Sequence, residues 1–142
     1  MPGASPDDDG PGLAGCALAL VVGPAVVAAH VLAFTWLTGR RLDLAEESGM
    51  LLFKAGMVAA PFLLLSLAGT RDKIPWLVAA LLTLAFWGYV LFEGVRYQWT
   101  GDTSGANIGL GLIMLVSPFL IGGAAMGIYA WRRERRRRKP GR

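Results

Sequence analysis

Residues Trp76–Trp99 read WLVAALLTLAFWGYVLFEGVRYQW, an apolar run with tryptophan at both ends whose formal charges, Glu93 and Arg96, sit near its second end. A helix needs about 20 mostly apolar residues to cross the hydrocarbon core of a bilayer, and tryptophan collects at the membrane–water interfaces. The run reads as a transmembrane helix. Leu13–Trp36, Met50–Leu67 and Ile108–Trp131 have the same character. The expected fold is therefore an all-α integral membrane protein, a four-transmembrane-helix antiparallel bundle with spans at about 13–37, 50–69, 76–99 and 107–131.

The bulk composition agrees. The chain has 142 residues, 54% hydrophobic, with a mean hydropathy of +0.49, which is too apolar for an ordinary soluble domain. Four spans leave no room for a second domain. Cys16 is the single cysteine and His30 the single histidine, so an internal disulfide, a cysteine-based zinc cluster and a histidine-rich metal site are excluded. No nucleophile–base pair stands out. The expectation is a protein with no metal, no cofactor and no enzymatic activity.

Charge is segregated along the chain. Residues 1–12, MPGASPDDDGPG, are acidic, rich in Pro and Gly, and expected to be disordered. Residues 132–142 form a basic tail, RRERRRRKPGR. Arg71, Lys73 and the bases of this tail fall on one side of the spans, whereas Arg40 and Arg41 share the opposite side with Asp43, Glu46 and Glu47. By the positive-inside bias, both termini are expected in the cytoplasm. Arg132, Arg133, Arg135, Arg136, Arg137, Arg138 and Lys139 are the candidate contacts to anionic lipid headgroups, since bases beside a span are drawn to an anionic leaflet. No aromatic residue follows Trp131 to stack on a base, so no nucleic acid is expected. The Ala-, Gly- and Arg-rich composition is that of a high-GC bacterial genome, which makes the bacterial cytoplasmic (inner) membrane the expected location.

Leu13-Ala14-Gly15-Cys16 matches a bacterial lipobox, but a lipobox follows a basic segment and an apolar one. Here an acidic segment precedes it and the apolar run follows. The expectation is a first span that is retained. Between the first two spans, Leu42, Leu44 and Ala45 among charges suggest a short interfacial helix. Between the second and third, the short turn Thr70–Pro75 suggests an antiparallel hairpin, with Pro75 in a first helical turn where its missing N–H costs nothing.

The candidate site is a polar cluster within the spans: His30, Lys54, Tyr89, Glu93, Arg96, Tyr97 and Asn107. Tyr89, Glu93, Arg96 and Tyr97 are spaced by four, three and four residues, which puts them on one helical face. Charged residues inside a span are costly and face a partner or a water-filled cavity. Glu93 has two readings: neutralised by Arg96 or Lys54, or titrating as a working site. The candidate packing residues are Gly105 with Gly109 and Gly123 with Gly127, pairs whose spacing lets helix backbones approach closely. Pro24, Pro61 and Pro118 each lie near the middle of a span.

Four short spans and an intramembrane glutamate superficially resemble the small multidrug resistance transporters. The essential acid of that family lies in the first span, and the first span here has no carboxylate, so the resemblance does not carry the activity over. The sequence points to an accessory or structural membrane bundle that packs with itself or with a partner protein. The alternative is a minimal transporter or proton-linked carrier using the polar cluster around Glu93.

Overall fold

The computed structural model describes residues 11–40, 43–70, 72–101 and 106–138. Its elements are α1 (Pro11–Thr38), α2 (Leu44–Leu67), α3 (Lys73–Thr100) and α4 (Ala106–Arg137). Among the described residues all four helices are long and apolar enough to cross a membrane. Leu20, Val21, Leu32, Leu52, Leu67 and Phe119 are each at least 65% exposed, a surface that suits lipid and would be untenable in water. The chain is all-helical and fits a small membrane protein.

Without water, helices gain nothing from hydrophobic burial against one another and associate through close packing. Small residues on α1 supply it. A Cβ on Gly23 would lie 2.5 Å from the Ala55 carbonyl oxygen and 3.2 Å from the Ala59 Cβ. A Cβ on Gly15 would lie 2.6 Å from the Ser66 Oγ. α1 and α2 consequently form the most extensive helix pair. Gly122 of α4 makes a third close approach, with Leu64 Cδ1 at 3.0 Å from where its Cβ would stand.

Around the bundle the packed order is α1, α2, α4, α3 and back to α1. α2 and α3, joined by the short turn, touch least of all the packed pairs. A short turn holds two helix ends together at one point only. What runs alongside α2 is set by the close approaches of Gly15, Gly23 and Gly122. The core divides into two clusters. Ala19, Phe62, Leu65, Ala79, Ile121 and Ala125 lie toward the α2–α3 turn, and Val27, Val58, Trp87 and Val90 lie toward the other end.

The α2–α3 turn is tightly determined. Gly69 takes the left-handed conformation, φ 63°, which glycine alone adopts without a steric penalty. The Gly69 N–H donates to the Ser66 carbonyl at 2.9 Å and the Thr70 N–H to the Leu65 carbonyl at 3.2 Å, the paired bonds of a Schellman motif. Thr70 Oγ1 also donates to the Leu65 carbonyl, and Trp76 Nε1 donates to the Thr70 carbonyl at 3.1 Å. Asp72 then caps α3 by accepting from the Ile74 N–H, and Pro75 falls in the first turn, as its sequence position implies.

Several boundaries differ from expectation: α1 begins at Pro11, so Pro11 and Gly12 of the segment expected to be disordered are helical, and α3 begins at Lys73 rather than Trp76. α2 begins at Leu44, so Leu44 and Ala45 belong to its first turn rather than to a separate interfacial helix. Asp43 accepts the Ala45 N–H at 2.9 Å as its cap, and Glu46 and Glu47 sit in the first turn, where the helix dipole favours acids. α4 continues past Trp131 to Arg137, so Arg132–Arg137 are helical. The acidic segment through Gly10, together with Gly105 and Lys139, lies outside the described residues.

Pro118 illustrates how an interior proline is accommodated. Its ring removes the hydrogen bond to the carbonyl four residues earlier, that of Met114. Ser117 Oγ donates to this same carbonyl at 2.8 Å, and such side-chain substitution is how membrane helices tolerate proline. Ser117→Ala should therefore destabilise the protein by about 0.5–1.5 kcal/mol in reversible unfolding from mild detergent. In a Pro118→Ala background, where the backbone N–H is restored, Ser117→Ala should cost markedly less. Equal losses in both backgrounds would mean that the hydroxyl does not serve the freed carbonyl.

Candidate functional site

The polar residues of the spans do not gather at one point. At the end of the bundle away from the α2–α3 turn, all four helices line a cleft of about 310 Å³. α1 contributes His30, Val31 and Phe34, and α2 contributes Glu47, Leu51 and Lys54. Val90 and Gly94 of α3 and Leu110 and Met114 of α4 form the opposite wall, with Arg40 at the rim. Helical periodicity explains the sets: residues three, four and seven apart share a face, as in Glu47–Leu51–Lys54, Val90–Gly94 and Leu110–Met114. Gly94 leaves room for the Phe34 ring, which lies 3.4 Å from where its Cβ would be.

Inside this cleft the charges stand apart. Lys54 lies seven residues beyond Glu47, about 10 Å deeper along α2 at 1.5 Å per residue. Among the described residues Lys54 makes no ion pair or hydrogen bond. The His30 ring packs edge-on against Trp87, with centroids 5.4 Å apart. Trp87 is in turn fixed edge-on by Phe86 and buried among Val27, Val58 and Val90, so the histidine is held by a rigid part of the core.

Of the cluster expected from sequence, His30 and Lys54 meet in the cleft, and Glu93 and Arg96 do not line it. Arg96 donates from Nη2 and Nε to the Glu93 Oε2, at 2.6 and 3.0 Å, a pair one turn apart on α3. Arg96 borders a separate apolar groove with Leu37, Phe92, Val95 and Trp99, where its alkyl chain can lie while the guanidinium reaches the interface. Of the two pairings open to Glu93, the structure has Arg96. Tyr89 is half exposed on α3, Tyr97 is partly buried, and the side chain of Asn107 lies outside the described residues. Arg40 and Glu47 were missed. The i, i+7 relation of Glu47 to Lys54 was a readable signal, whereas Arg40 reaches the rim because Gly39, φ 68°, turns the chain after α1.

The expected packing glycines are placed differently as well. A Cβ on Gly109, Gly123 or Gly127 would meet none of the described residues within 4 Å, and among those residues the close approaches belong to Gly15, Gly23 and Gly122. Periodicity fixes which glycines share a face, and packing decides which face is occupied.

At the other end, Asp72 gathers two bases of α4. Arg132 Nε donates to Asp72 Oδ2 at 2.6 Å and Arg136 Nη2 at 3.1 Å, the i, i+4 spacing bringing both guanidiniums to one oxygen. Arg135 instead stacks on Trp131, 3.9 Å from the ring centroid, and Arg138 pairs with Glu134. The helical start of the basic tail is thus partly a clasp between α4 and the α2–α3 turn. No family model, curated protein or solved structure matches this chain.

The clasp makes stability depend on pH. The Arg132 hydrogen bond, with the Ile74 N–H assisting, holds the Asp72 carboxyl below its ordinary pKa. A carboxylate depressed on folding stabilises the native state fully above the unfolded pKa of about 3.9, and that contribution is lost as pH falls through the folded value. Asp72→Asn should melt below the wild type at pH 7, and the gap should close on acidification below about pH 4. A gap that persists unchanged at low pH would show that the carboxylate charge is not what matters.

Proposed function

We propose that this chain is a small integral protein of the bacterial cytoplasmic membrane, an antiparallel four-helix bundle with both termini in the cytoplasm. Its role in this reading is that of an accessory or structural protein, which packs with a second copy or with a membrane partner and catalyses no reaction. The orientation rests on the bases that accumulate beside the α2–α3 turn and the end of α4. Anionic headgroups of the cytoplasmic leaflet are the partners of the C-terminal bases that Asp72 leaves free.

The observation that carries the reading is the open face of α4. Gly123 and Gly127 are exposed, with Val116 and Leu120 exposed on the same stripe. Small residues four apart let another helix approach closely, and no described residue of this chain occupies that place. A non-enzymatic role is supported by the residue inventory, one cysteine and one histidine.

The decisive experiment follows association in lipid nanodiscs or vesicles, by energy transfer between labelled copies and by recovery of bound membrane proteins. Replacing Gly123 and Gly127 together with Ile should lower association about tenfold or more while the melting temperature stays near that of the wild type. If the wild type neither self-associates nor recovers a partner that the variant loses, the reading fails. The competing reading, a carrier using Glu93, draws little support from a carboxylate bound to Arg96 within its own helix. A carrier would lose pH-dependent flux in Glu93→Gln at unchanged stability, whereas the bundle should lose a fraction of a kcal/mol that the swap Glu93→Arg with Arg96→Glu restores.

A further inference from the structure

The cleft between the four helices contains a cation, Lys54, that makes no ion pair or hydrogen bond among the described residues. We propose that it is a binding site for an oxyanion carried on an apolar body, an alkyl phosphate or the headgroup of an anionic phospholipid, with Lys54 as the principal ligand to the anion.

The wall chemistry divides in the way such a ligand requires. Val31, Phe34, Leu51, Val90, Leu110 and Met114 form an apolar lining drawn from all four helices. The polar groups are few and placed at different depths: Lys54 and His30 within, Arg40 and Glu47 toward the start of α2. A volume of about 310 Å³ is at the small end of ligand pockets, which run from about 300 to 1,000 Å³, and admits a headgroup with the first carbons of a chain.

Charge selects the sign of the ligand. An ammonium held inside a span faces a counter-ion or a water-filled cavity, and Lys54 faces the cleft with no acceptor from the described residues. Glu47, the carboxylate that lines the same cleft, is about 10 Å away along α2 and makes no ion pair with it, although its field reaches the site. Arg40 adds a second cation at the rim. Glu93 of α3 is bound to Arg96, and Asp43 caps the start of α2. An incoming oxyanion would therefore meet Lys54 directly, with His30 held beside it by Trp87 as a hydrogen-bonding side chain. Glu47 opposes the anion and so limits affinity.

The test uses the full chain in neutral phosphatidylcholine nanodiscs and reads the melting temperature, since a ligand that binds the native state raises it with concentration. Octyl phosphate represents the free amphiphile, phosphatidylglycerol blended into the disc represents the lipid, and octanol is the neutral control. The wild type should be stabilised by octyl phosphate, by phosphatidylglycerol or by both, and not by octanol; which anion acts identifies the source. Lys54→Met should melt at or above the wild type without ligand, because it removes an unneutralised cation, and should bind about tenfold more weakly or worse, the factor of one charge-assisted hydrogen bond. Lys54→Arg should retain binding, and Glu47→Gln should tighten it several-fold through the loss of a repelling charge. The Glu47 and Arg variants decide the matter if the Met variant does not fold. No stabilisation by either anion overturns the proposal, and so does a gain that survives in Lys54→Met or is unmoved in Glu47→Gln.

Discussion

A hydrocarbon surrounding offers no hydrogen-bond partner and no hydrophobic gain on helix contact, and both facts shape this chain. Each backbone N–H and carbonyl in such a medium must be satisfied inside its own segment, which leaves long uninterrupted helices as the available form. With burial removed as a driving force, the helices are held by fit. The contact of Gly23 with the Ala55 backbone is the closest of these fits, and the pairing of α1 with α2 that it permits sets where α3 and α4 can lie. The ring order α1, α2, α4, α3 follows from such approaches and from the turn at Gly69.

The same economy governs the polar groups. Ser117 covers the carbonyl that Pro118 uncovers, and Thr70 and Trp76 close the α2–α3 turn on itself. At that end Asp72 sits between Arg132 and Arg136 and ties α4 to the turn. At the other end Glu93 and Arg96 neutralise each other on one helix, and Lys54 faces a cleft. The two ends of the bundle thus differ in kind, one tied by ion pairs and one open with a cation inside it. An accessory protein that packs through α4 and accepts an amphiphile at its open end would use surfaces that do not overlap, since Gly123 and Gly127 lie near the clasped end of α4 and Leu110 and Met114 near the other.

That the chain forms four long apolar helices was legible in the sequence, because hydrophobicity and length are properties of a segment and need no knowledge of its neighbours. Capping is local in the same sense: Asp43, Asp72, Gly39, Gly69 and Gly101 act on residues next to them. The Glu93–Arg96 pair could be read as well, being one turn apart. What tertiary structure alone decided is which faces meet. Gly123 and Gly127 have the spacing of a packing pair and meet no described residue of this chain, while Gly15 and Gly23, eight residues apart, carry the tightest contacts. Asp72 and Arg132 are separated by 60 residues, and no periodicity links them. Lys54 and Glu47 join His30 in one cleft because α1 and α2 are in close register, a distance set by the absence of side chains on two glycines. Local chemistry determined the elements; the rotation of each helix about its own axis, which the near-uniform apolar surface of these spans leaves almost unmarked in sequence, was decided only by the packing.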